Sequence, residues 1–525
     1  MGTLRERACA VFLAVSPLVG CSLMGLDDFG DKRCENDHDC AEAKERIWPK
    51  ACGPAVCNLQ TGLCEWHEPQ EVCNGHDDDC DGLIDEGLTL PTRQISSSVS
   101  DEAAVIGYAM ASTSEPAQTY VAVVRSNRSA AGFTLGPHSS MHELEYDSLR
   151  APGDCPKVPQ QQEPRTTGPM KCNFAEVAVA VDGEHLIIAS INTLGCARGQ
   201  LRVGLSDLEN SPFKVYLGPS KGARVQDETD IGFGVDLDAP EGCTGPAGAT
   251  RPAVASLGSE GGALLVWLSA SAYADDVPSD PIPVEALALE KVTSDEGWWL
   301  NWAGEPTPIS LGNASDRSAP AVLPLKSRSG GGEYLVAFPA RNPDGKLGIQ
   351  LLSVPDGRVS GFEPRMFLDV GAATRVSLSA GDVARKEVGI AWFDGSQADA
   401  RLRFRVVSLV SEIQSSETGL SIAPASRFAP QVLFQQAGFA ETGPRGGWFL
   451  SWVDAVRNGQ QTFHVARVHN GDLENSGQSQ RPAAGVPLLF PNKAGSTDDD
   501  FGVGYAWVDP SLASSKPETQ SRWCE

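Results

Sequence analysis

An acidic stretch at residues 71–87 carries the residue pattern in this sequence that is best suited to holding a metal ion. It reads EVCNGHDDDCDGLIDEG, and its aspartates follow the spacing D-x-D-x-D-G-x-x-D. Alternate residues of a tight loop direct their carboxylates to one side, and hard cations such as calcium bind about six to eight oxygens. The spacing therefore predicts a calcium-type site with the ligands Asp77, Asp79, Asp81, the backbone carbonyl of Leu83, Asp85 and, as a further candidate, Glu86.

The loop has only part of the EF-hand pattern. Gly82 permits the sharp turn after the third aspartate. Leu88 stands where an EF-hand loop has its bidentate glutamate, so the expected affinity is weak, with a Kd of about 10⁻⁴–10⁻³ M. Such an ion stabilises structure and does not sense small changes in concentration. Two alternatives stay open: another divalent metal, with copper disfavoured because the ligands are oxygens, and an acidic loop without metal.

The whole stretch resembles the metal-binding motif of bacterial surface proteins that was first associated with a copper-binding outer-membrane protein of methanotrophs. The family pattern reads E-x-C-N-G-x-D-D-D-C-D-G-x-x-D-E-G, and residues 71–87 meet every fixed position. The resemblance implies a divalent-cation site. It covers 17 of 525 residues and implies nothing about the large region that follows.

The N-terminus has the pattern of an export signal. Arg5 and Arg7 precede an apolar run at residues 8–20, which is too short to span a bilayer as a mature helix. The run ends in Leu-Val-Gly-Cys, which resembles the lipobox of bacterial lipoproteins; the resemblance implies cleavage before Cys21 and a diacylglycerol on its sulfur. We therefore expect a lipid anchor in the outer membrane or at the cell surface, with the chain facing the periplasm or the exterior. An ordinary cleaved secretory signal is the alternative.

The number of cysteines indicates disulfide bonds. Of 14 cysteines, Cys9 belongs to the predicted signal and Cys21 to the anchor, which leaves 14 − 2 = 12. Export favours oxidation, and the spacings lack the paired C-x2-C of zinc sites. If the four central cysteines pair among themselves, Cys524 has to pair with an N-terminal cysteine and would join the two chain ends. The candidates are Cys34, Cys40, Cys52, Cys57, Cys64, Cys73, Cys80, Cys155, Cys172, Cys196, Cys243 and Cys524.

The composition changes along the chain and suggests its domains. The module at residues 34–70 has too few apolar residues for a core, so disulfides must hold it; it resembles short cysteine-rich modules of proteins secreted by myxobacteria. The net charge of −26 argues against a nucleic-acid partner. We expect five parts: a lipoprotein signal peptide at 1–20, a tether at 21–33, the cysteine-rich module at 34–70, the metal-binding motif at 71–88 and a large domain at 89–525.

The large region reads as short β-strands separated by turns of Gly, Pro, Asn and Asp. A weak repeat consists of an apolar run ending in an aromatic residue, a turn with Asp-Gly or Asn-Gly, and an alternating strand. This pattern predicts β-hairpins at residues 333–354, 388–409 and 448–468. Another short strand precedes each hairpin, and an aromatic position recurs about every 55 to 60 residues, at Phe338, Trp392, Trp452 and Trp507.

The repeat predicts an all-β fold with a β-propeller-like domain. About 435 residues divided by that period give about seven blades. Radial closure also leaves few sheet edges exposed in a chain with so many strands. Several stacked β-sandwiches are the alternative fold.

The sequence favours recognition over catalysis. It has no H-E-x-x-H and no phosphate-binding loop, and we expect His185, His464 and His469, which lie in strand-like runs, to be structural. We therefore predict a lipid-anchored envelope protein that recognises a protein or glycan or serves as a scaffold. The alternative is an exported hydrolase or lyase with its active site at the mouth of the propeller.

Overall fold

The structure is a computed structural model of the chain, which divides into two compact units, Met1–Leu88 and Thr89–Glu525. It describes residues 33–41, 55–66, 93–94, 105–114, 117–125, 130–135, 141–143, 145–147, 174–183, 185–192, 200–208, 214–216, 248–258, 262–270, 281–294, 297–302, 308–326, 332–355, 362–381, 386–394, 401–410, 418–419, 429–435, 447–453, 463–469, 472–479, 488–491, 503–508 and 517–522.

The described part of the first unit is a small disulfide-bonded module. Its helix, residues 37–41, is capped by Asp39, whose Oδ2 accepts hydrogen bonds from the backbone N–H groups of Glu35 (2.8 Å) and Asn36 (3.2 Å). Strands β1 (Ala55–Asn58) and β2 (Leu63–Trp66) pair as an antiparallel hairpin. Because three short elements bury little apolar surface, covalent links have to supply much of the stability.

Two disulfide bonds supply those links. Cys34 pairs with Cys57 and Cys40 with Cys64, so both join the helical segment to the hairpin. Cys40, Ala55 and Cys64 form the buried centre of the module. Disulfide bonding is thus confirmed for four of the predicted cysteines. The others lie outside the described residues: Cys52, Cys73, Cys80, Cys155, Cys172, Cys196, Cys243 and Cys524.

The second unit is built from strands; its described residues form 30 of them and contain no helix. Their bounds are β3 (Arg93–Gln94), β4 (Val105–Ser114), β5 (Ala117–Arg125), β6 (Ala130–Leu135), β7 (Met141–Glu143), β8 (Glu145–Asp147), β9 (Phe174–Asp182), β10 (His185–Asn192), β11 (Gln200–Asp207), β12 (Lys214–Tyr216), β13 (Gly248–Ser256), β14 (Ala263–Ala270), β15 (Ile282–Ser294), β16 (Gly297–Trp302), β17 (Ile309–Ala314), β18 (Ala321–Lys326), β19 (Gly332–Arg341), β20 (Leu347–Pro355), β21 (Glu363–Leu368), β22 (Ala373–Ala380), β23 (Glu387–Asp394), β24 (Arg401–Ser408), β25 (Thr418–Gly419), β26 (Gln431–Gln435), β27 (Gly447–Val453), β28 (Phe463–His469), β29 (Asp472–Ser479), β30 (Leu488–Pro491), β31 (Val503–Val508) and β32 (Pro517–Arg522).

These strands pair as antiparallel meanders of four. Six meanders follow chain order: β4–β7, β9–β12, β13–β16, β18–β21, β22–β25 and β26–β29. The seventh has the order β30-β31-β32-β3. The strand β8 adds to β12 in parallel, and β17 links the third meander to the fourth. The predicted all-β fold with several sheets is confirmed, and so are the three predicted hairpins, which are β19–β20, β23–β24 and β27–β28.

Neighbouring meanders contact each other through their first strands. The first strand of each meander lies against the first strand of the next, and that of the seventh lies against that of the first. The contacts therefore form a closed cycle through β4, β9, β13, β18, β22, β26 and β30.

The core lies between successive meanders. Clusters of buried apolar side chains join the first meander to the second, and so on through to the sixth. The recurrent aromatic residues Phe338, Trp392 and Trp452 belong to these clusters and are buried. Between the fifth and sixth meanders, the Trp448 ring lies where a Cβ added to Gly389 would approach it to 2.3 Å. A glycine is thus required for that close approach.

The seventh meander is completed by a strand from the other end of the unit. Arg93 is opposite Thr519, and Gln94 is opposite Glu518, so β3 pairs with the last strand. This pairing joins the two ends of the unit. The disulfide through Cys524 that we predicted for the same purpose lies outside the described residues.

The third meander departs from the simple repeat. Its strand β15 has 13 residues and uses its two halves differently. Residues 289–294 pair with β16, whereas residues 282–286 pair with β17.

Among the described residues, no helix is long and apolar enough to span a membrane.

Candidate functional site

A cluster of charged residues lies where the first strands of four successive meanders begin. Glu176 is near the start of β9 and Arg251 near the start of β13. Residues 315–318 lead into β18, and Arg375 is near the start of β22. Hydrogen bonds join these residues although they are 57 to 75 positions apart in the sequence. We call Glu176, Arg251, Asp316, Arg317 and Arg375 the arginine cluster.

Arg251 joins the second meander to the third. Its backbone N–H and its Nη1 both donate hydrogen bonds to the carboxylate of Glu176, which makes a charge-assisted pair. Its Nε donates to the backbone carbonyl of Arg317 at 3.1 Å. Arg251 thereby links Glu176 of β9 to the segment that leads into β18.

Arg251 and Arg375 share an uncommon backbone conformation. Their φ angles are 53° and 54°, in the left-handed region that a bulky side chain seldom adopts. Each lies at a β-bulge, where the pairing with the second strand shifts register. In both sheets the bulge lies opposite a buried tryptophan, Trp267 or Trp392. Bulges of this kind re-aim side chains and are enriched near functional sites.

The segment at 315–318 connects the two bulges. Its first N–H, that of Ser315, donates to the carbonyl of Pro339 at 2.8 Å, and Asp316 Oδ2 accepts a hydrogen bond from the N–H of Ser318 at 3.0 Å. Ser318 Oγ in turn accepts from the backbone N–H of Arg375 at 2.9 Å. These bonds fix the backbone of Arg375 beside the segment and leave its guanidinium available.

The Arg375 guanidinium is partly buried and poorly neutralised. Burial lowers its pKa below the usual arginine value, and the nearby positive charge of Arg251 lowers it further, whereas Asp316 acts in the opposite direction. Within the described part of the chain this guanidinium makes no hydrogen bond and no ion pair. The arginine cluster holds three cations and two carboxylates, so it is locally positive in a chain of net charge −26.

A second polar cluster lies at the opposite end of β9 and β13. Asp182 is 2% exposed and accepts a hydrogen bond from Ser256 Oγ at 3.3 Å. Its Oδ2 lies 3.4 Å from Lys291 Nζ. Contacts at both the beginnings and the ends of β9 and β13 mean that the two strands run side by side in the same direction. Since Asp182 is so deeply buried, its contacts hold the two meanders together.

Two histidines of the described strands, His185 and His464, are packed against aromatic rings. His185 lies 4.2 Å from Trp298 between ring centroids, and His464 stacks on Trp452 at 4.9 Å. Both histidines are buried. This packing agrees with the structural role that we predicted for them.

The predicted metal ligands and lipid attachment site lie outside the described residues. These are Asp77, Asp79, Asp81, Leu83, Asp85 and Glu86 for the metal, and Cys21 for the lipid. In the described module, the sulfur atoms of Cys34, Cys40 and Cys57 lie within 4.8 Å of one another. Because all three form disulfide bonds, they are not thiolates, the form in which cysteine binds zinc.

Sequence reasoning missed the arginine cluster. A usable signal exists, because Thr-Arg stands near the start of the first strand in both TRPAVAS, from Thr250, and TRVSLSA, from Thr374. Alternation alone predicts a strand at both places but not the bulge that turns the arginine. The partners Glu176 and Ser318 come from other meanders, so no local pattern could have identified them.

Comparisons with known proteins give no family for this chain. No protein-family model matches it, and no curated protein matches it. Among solved structures, it is similar to AofleA from Arthrobotrys oligospora, with 8% identity, a TM-score of 0.41, and coverage of 78% of this chain and 93% of that one. The polysaccharide lyase Uly1 has 10% identity, a TM-score of 0.39, and coverage of 77% and 87%. The fucose-specific lectin from Aleuria aurantia has 8% identity, a TM-score of 0.34, and coverage of 74% and 97%.

Proposed function

We propose that residues 89–525 form a seven-bladed β-propeller in which each four-stranded meander is one blade. The closed cycle of seven first strands supports this proposal, since the innermost strands of a propeller surround its central channel. The pairing of β3 with β32 supports it as well, because it completes the last sheet with a strand from the beginning of the unit. A stack of β-sandwiches would not require the first strand of the seventh meander, β30, to contact the first strand of the first meander, β4.

The function that we propose for this domain is recognition of a glycan or protein at the bacterial envelope. The observation that carries it is the arginine cluster, in which four successive blades present charged groups at one end of the cycle. Convergent polar groups supplied by several elements of a rigid scaffold are typical of binding sites. The cluster has groups that can bind and orient a ligand, and its two carboxylates, which could otherwise serve as nucleophile or acid, already accept hydrogen bonds.

An exported hydrolase or lyase is the second candidate function, and its support in the described residues is weaker. The carboxylate of Glu176 is occupied by Arg251, and Asp316 accepts a backbone N–H, so the two acids of the cluster are already engaged. The sequence contains one G-x-S-x-G pattern, at residues 218–222. A nucleophile elbow needs a helix directly after the serine, and residues 218–222 lie outside the described ranges.

The remaining parts of the proposal concern attachment and stability. We infer that Cys21 carries a lipid that holds the protein in the outer membrane or at the cell surface. We infer also that the loop from Asp77 to Glu86 binds calcium and stiffens the segment between the anchor and the propeller. The lipobox resemblance and the alternate aspartates support these two inferences.

The proposed recognition function is tested with the purified mature protein on arrays of envelope glycans and in pull-downs of envelope proteins. We expect saturable retention of at least one glycan or protein, without chemical change to it. Arg375→Gln should weaken retention, and Arg401→Gln, an exposed arginine on β24, should leave it unchanged. Release of new reducing ends or of unsaturated products from a glycan would overturn recognition as the function and favour the enzyme.

A further inference from the structure

Arg375 differs from Arg251, Arg365 and Arg403 in having no acceptor among the described residues. Arg365 Nη2 donates to Glu333 at 2.8 Å, and Arg403 Nη2 lies 3.0 Å from Asp394 Oδ2. Arg251 is held by Glu176. The guanidinium of Arg375, in contrast, makes no hydrogen bond or ion pair with any described residue, although it is partly buried.

A partly buried cation without an acceptor is costly unless something else satisfies it. Guanidinium groups bind carboxylates with two parallel hydrogen bonds, which suits a planar anion. Asp316 is close enough to influence Arg375, but its Oδ2 accepts the N–H of Ser318 and it does not pair with the guanidinium. Among the described residues, therefore, nothing occupies the donors of Arg375, which can bind an external group.

The backbone conformation at Arg375 fixes the direction in which its side chain leaves the strand. Its positive φ places the side chain differently from those of ordinary strand residues, and its N–H is fixed by Ser318. A glycine would adopt the same φ without strain. The use of arginine at this strained position, with a head group that no described residue pairs, points to a role outside the folding of the strand.

The charge of the whole chain restricts the ligand. With a net charge of −26, the protein repels polyanions. An otherwise neutral molecule with a single carboxylate is repelled much less, and the locally positive arginine cluster attracts its carboxylate. The ligand class favoured by these observations is small, polar and monoanionic.

We propose that Arg375, supported by Arg251 and Arg317, binds the carboxylate of a small monocarboxylic sugar acid, either free or at the end of an otherwise neutral glycan. This inference rests on the proposed recognition function and assigns a ligand class to its site. Arg251 keeps the carboxylate of Glu176 engaged, and its Nε donates to the backbone carbonyl of Arg317. The backbone N–H of Ser318 keeps Asp316 Oδ2 engaged.

The test is isothermal titration of the full mature chain with glucuronate, with glucose as the neutral match and polygalacturonate as the polyanion. We expect saturable binding of glucuronate, none of glucose at equal concentration, and weaker binding of polygalacturonate per carboxylate. A neutral oligosaccharide ending in glucuronate distinguishes a glycan terminus from the free acid. Arg375→Gly and Arg375→Gln should each reduce glucuronate affinity at least tenfold, whereas Arg401→Gln should not change it.

Arg375→Gly keeps this test independent of folding, since glycine relieves the positive φ. Its melting temperature should be at least that of the wild type. Equal glucuronate affinity in wild type and Arg375→Gly, equal binding of glucose, or tighter binding of the polyanion would overturn the inference. If glucuronate does not bind but a neutral glycan is retained on the array, the ligand class is wrong and the recognition function stands. If glucuronate binds through Arg375 and a glycan is also cleaved, the ligand class stands and the recognition function is wrong.

Discussion

Arg251 and Arg375 occupy the same place in the third and fifth meanders, which are separated by one other meander, and their φ angles are 53° and 54°. Each follows a threonine near the start of a first strand and faces a buried tryptophan across a bulge. The same Thr-Arg bulge with a positive φ thus occurs twice, but the two guanidinium groups have different surroundings. One guanidinium binds Glu176, and the other is left without an acceptor among the described residues.

The strain at this position leads to a first prediction. Arg375→Gly should raise the free energy of unfolding by about 1 kcal/mol, because a bulky residue in the left-handed region is disfavoured by about that amount. Ser377→Gly, two residues further along the same strand, should lower it by about 0.5–1 kcal/mol, since glycine weakens an ordinary strand. Urea titration of both variants measures the difference. A loss of stability in Arg375→Gly similar to that in Ser377→Gly would contradict the assignment of strain.

The buried Asp182 gives a second prediction. Asp182→Ala leaves Lys291 without its partner and Ser256 without its acceptor, which should lower the free energy of unfolding by about 3 kcal/mol. The matched control is Asp369→Ala, which breaks the exposed ion pair with Lys346; an exposed pair contributes little. If both variants melt at the same temperature, the cluster does not hold the second and third meanders together.

A third prediction concerns pH. Burial raises the pKa of Glu285, and Trp267 and Ser269 beside it only partly offset that effect. Between the ordinary and the raised pKa, the folded state binds more protons than the unfolded state, so stability falls as pH rises through this window. Glu285→Gln should therefore be more stable than the wild type at pH 7, and the difference should shrink to nothing as pH falls below the ordinary pKa.

The pH prediction is checked by urea titration from pH 3.5 to pH 7. Glu290→Gln, an exposed change on the same strand, is the control for the loss of one negative charge. A stability difference between Glu285→Gln and wild type that is the same at every pH would contradict the prediction.

The fourth prediction tests the calcium loop in the full mature chain. Calorimetry should detect calcium uptake with a Kd of about 10⁻⁴–10⁻³ M, and Asp79→Ala should abolish it. Asp78→Ala removes a carboxylate from the same loop at a position that the spacing does not assign to the ion, so uptake should persist. Absence of uptake by the oxidised wild type at millimolar calcium would reject the site.

The fifth prediction tests the anchor. Cys21→Ala should release the protein from the membrane fraction, because the acylated sulfur is lost. Cys9→Ala changes a cysteine within the predicted signal and should leave the protein in that fraction. Fractionation with detection of the C-terminal domain measures both. Retention of Cys21→Ala in the membrane would mean that something other than a lipid on that sulfur holds the protein there.

The strands could be predicted from the sequence because the patterns that indicate a strand lie within a few neighbouring residues. Alternation of apolar residues and the turn residues between them predicted the hairpins at 333–354, 388–409 and 448–468, and the recurrent aromatics gave the period of the repeat. The double use of β15 was not predicted. Its pairing with both β16 and β17 depends on how two meanders meet, which a period-2 pattern does not report.

The sequence by itself determined that this chain is rich in β-hairpins and has cysteines that form disulfides in a small module, and it carries an acidic pattern that predicts a metal site, because these properties depend on neighbouring residues. Only the tertiary structure decided that Glu176 meets Arg251, that Ser318 meets Arg375 and that the last strand pairs with β3. Those contacts join residues that are far apart in the chain, and packing of whole sheets brings them together.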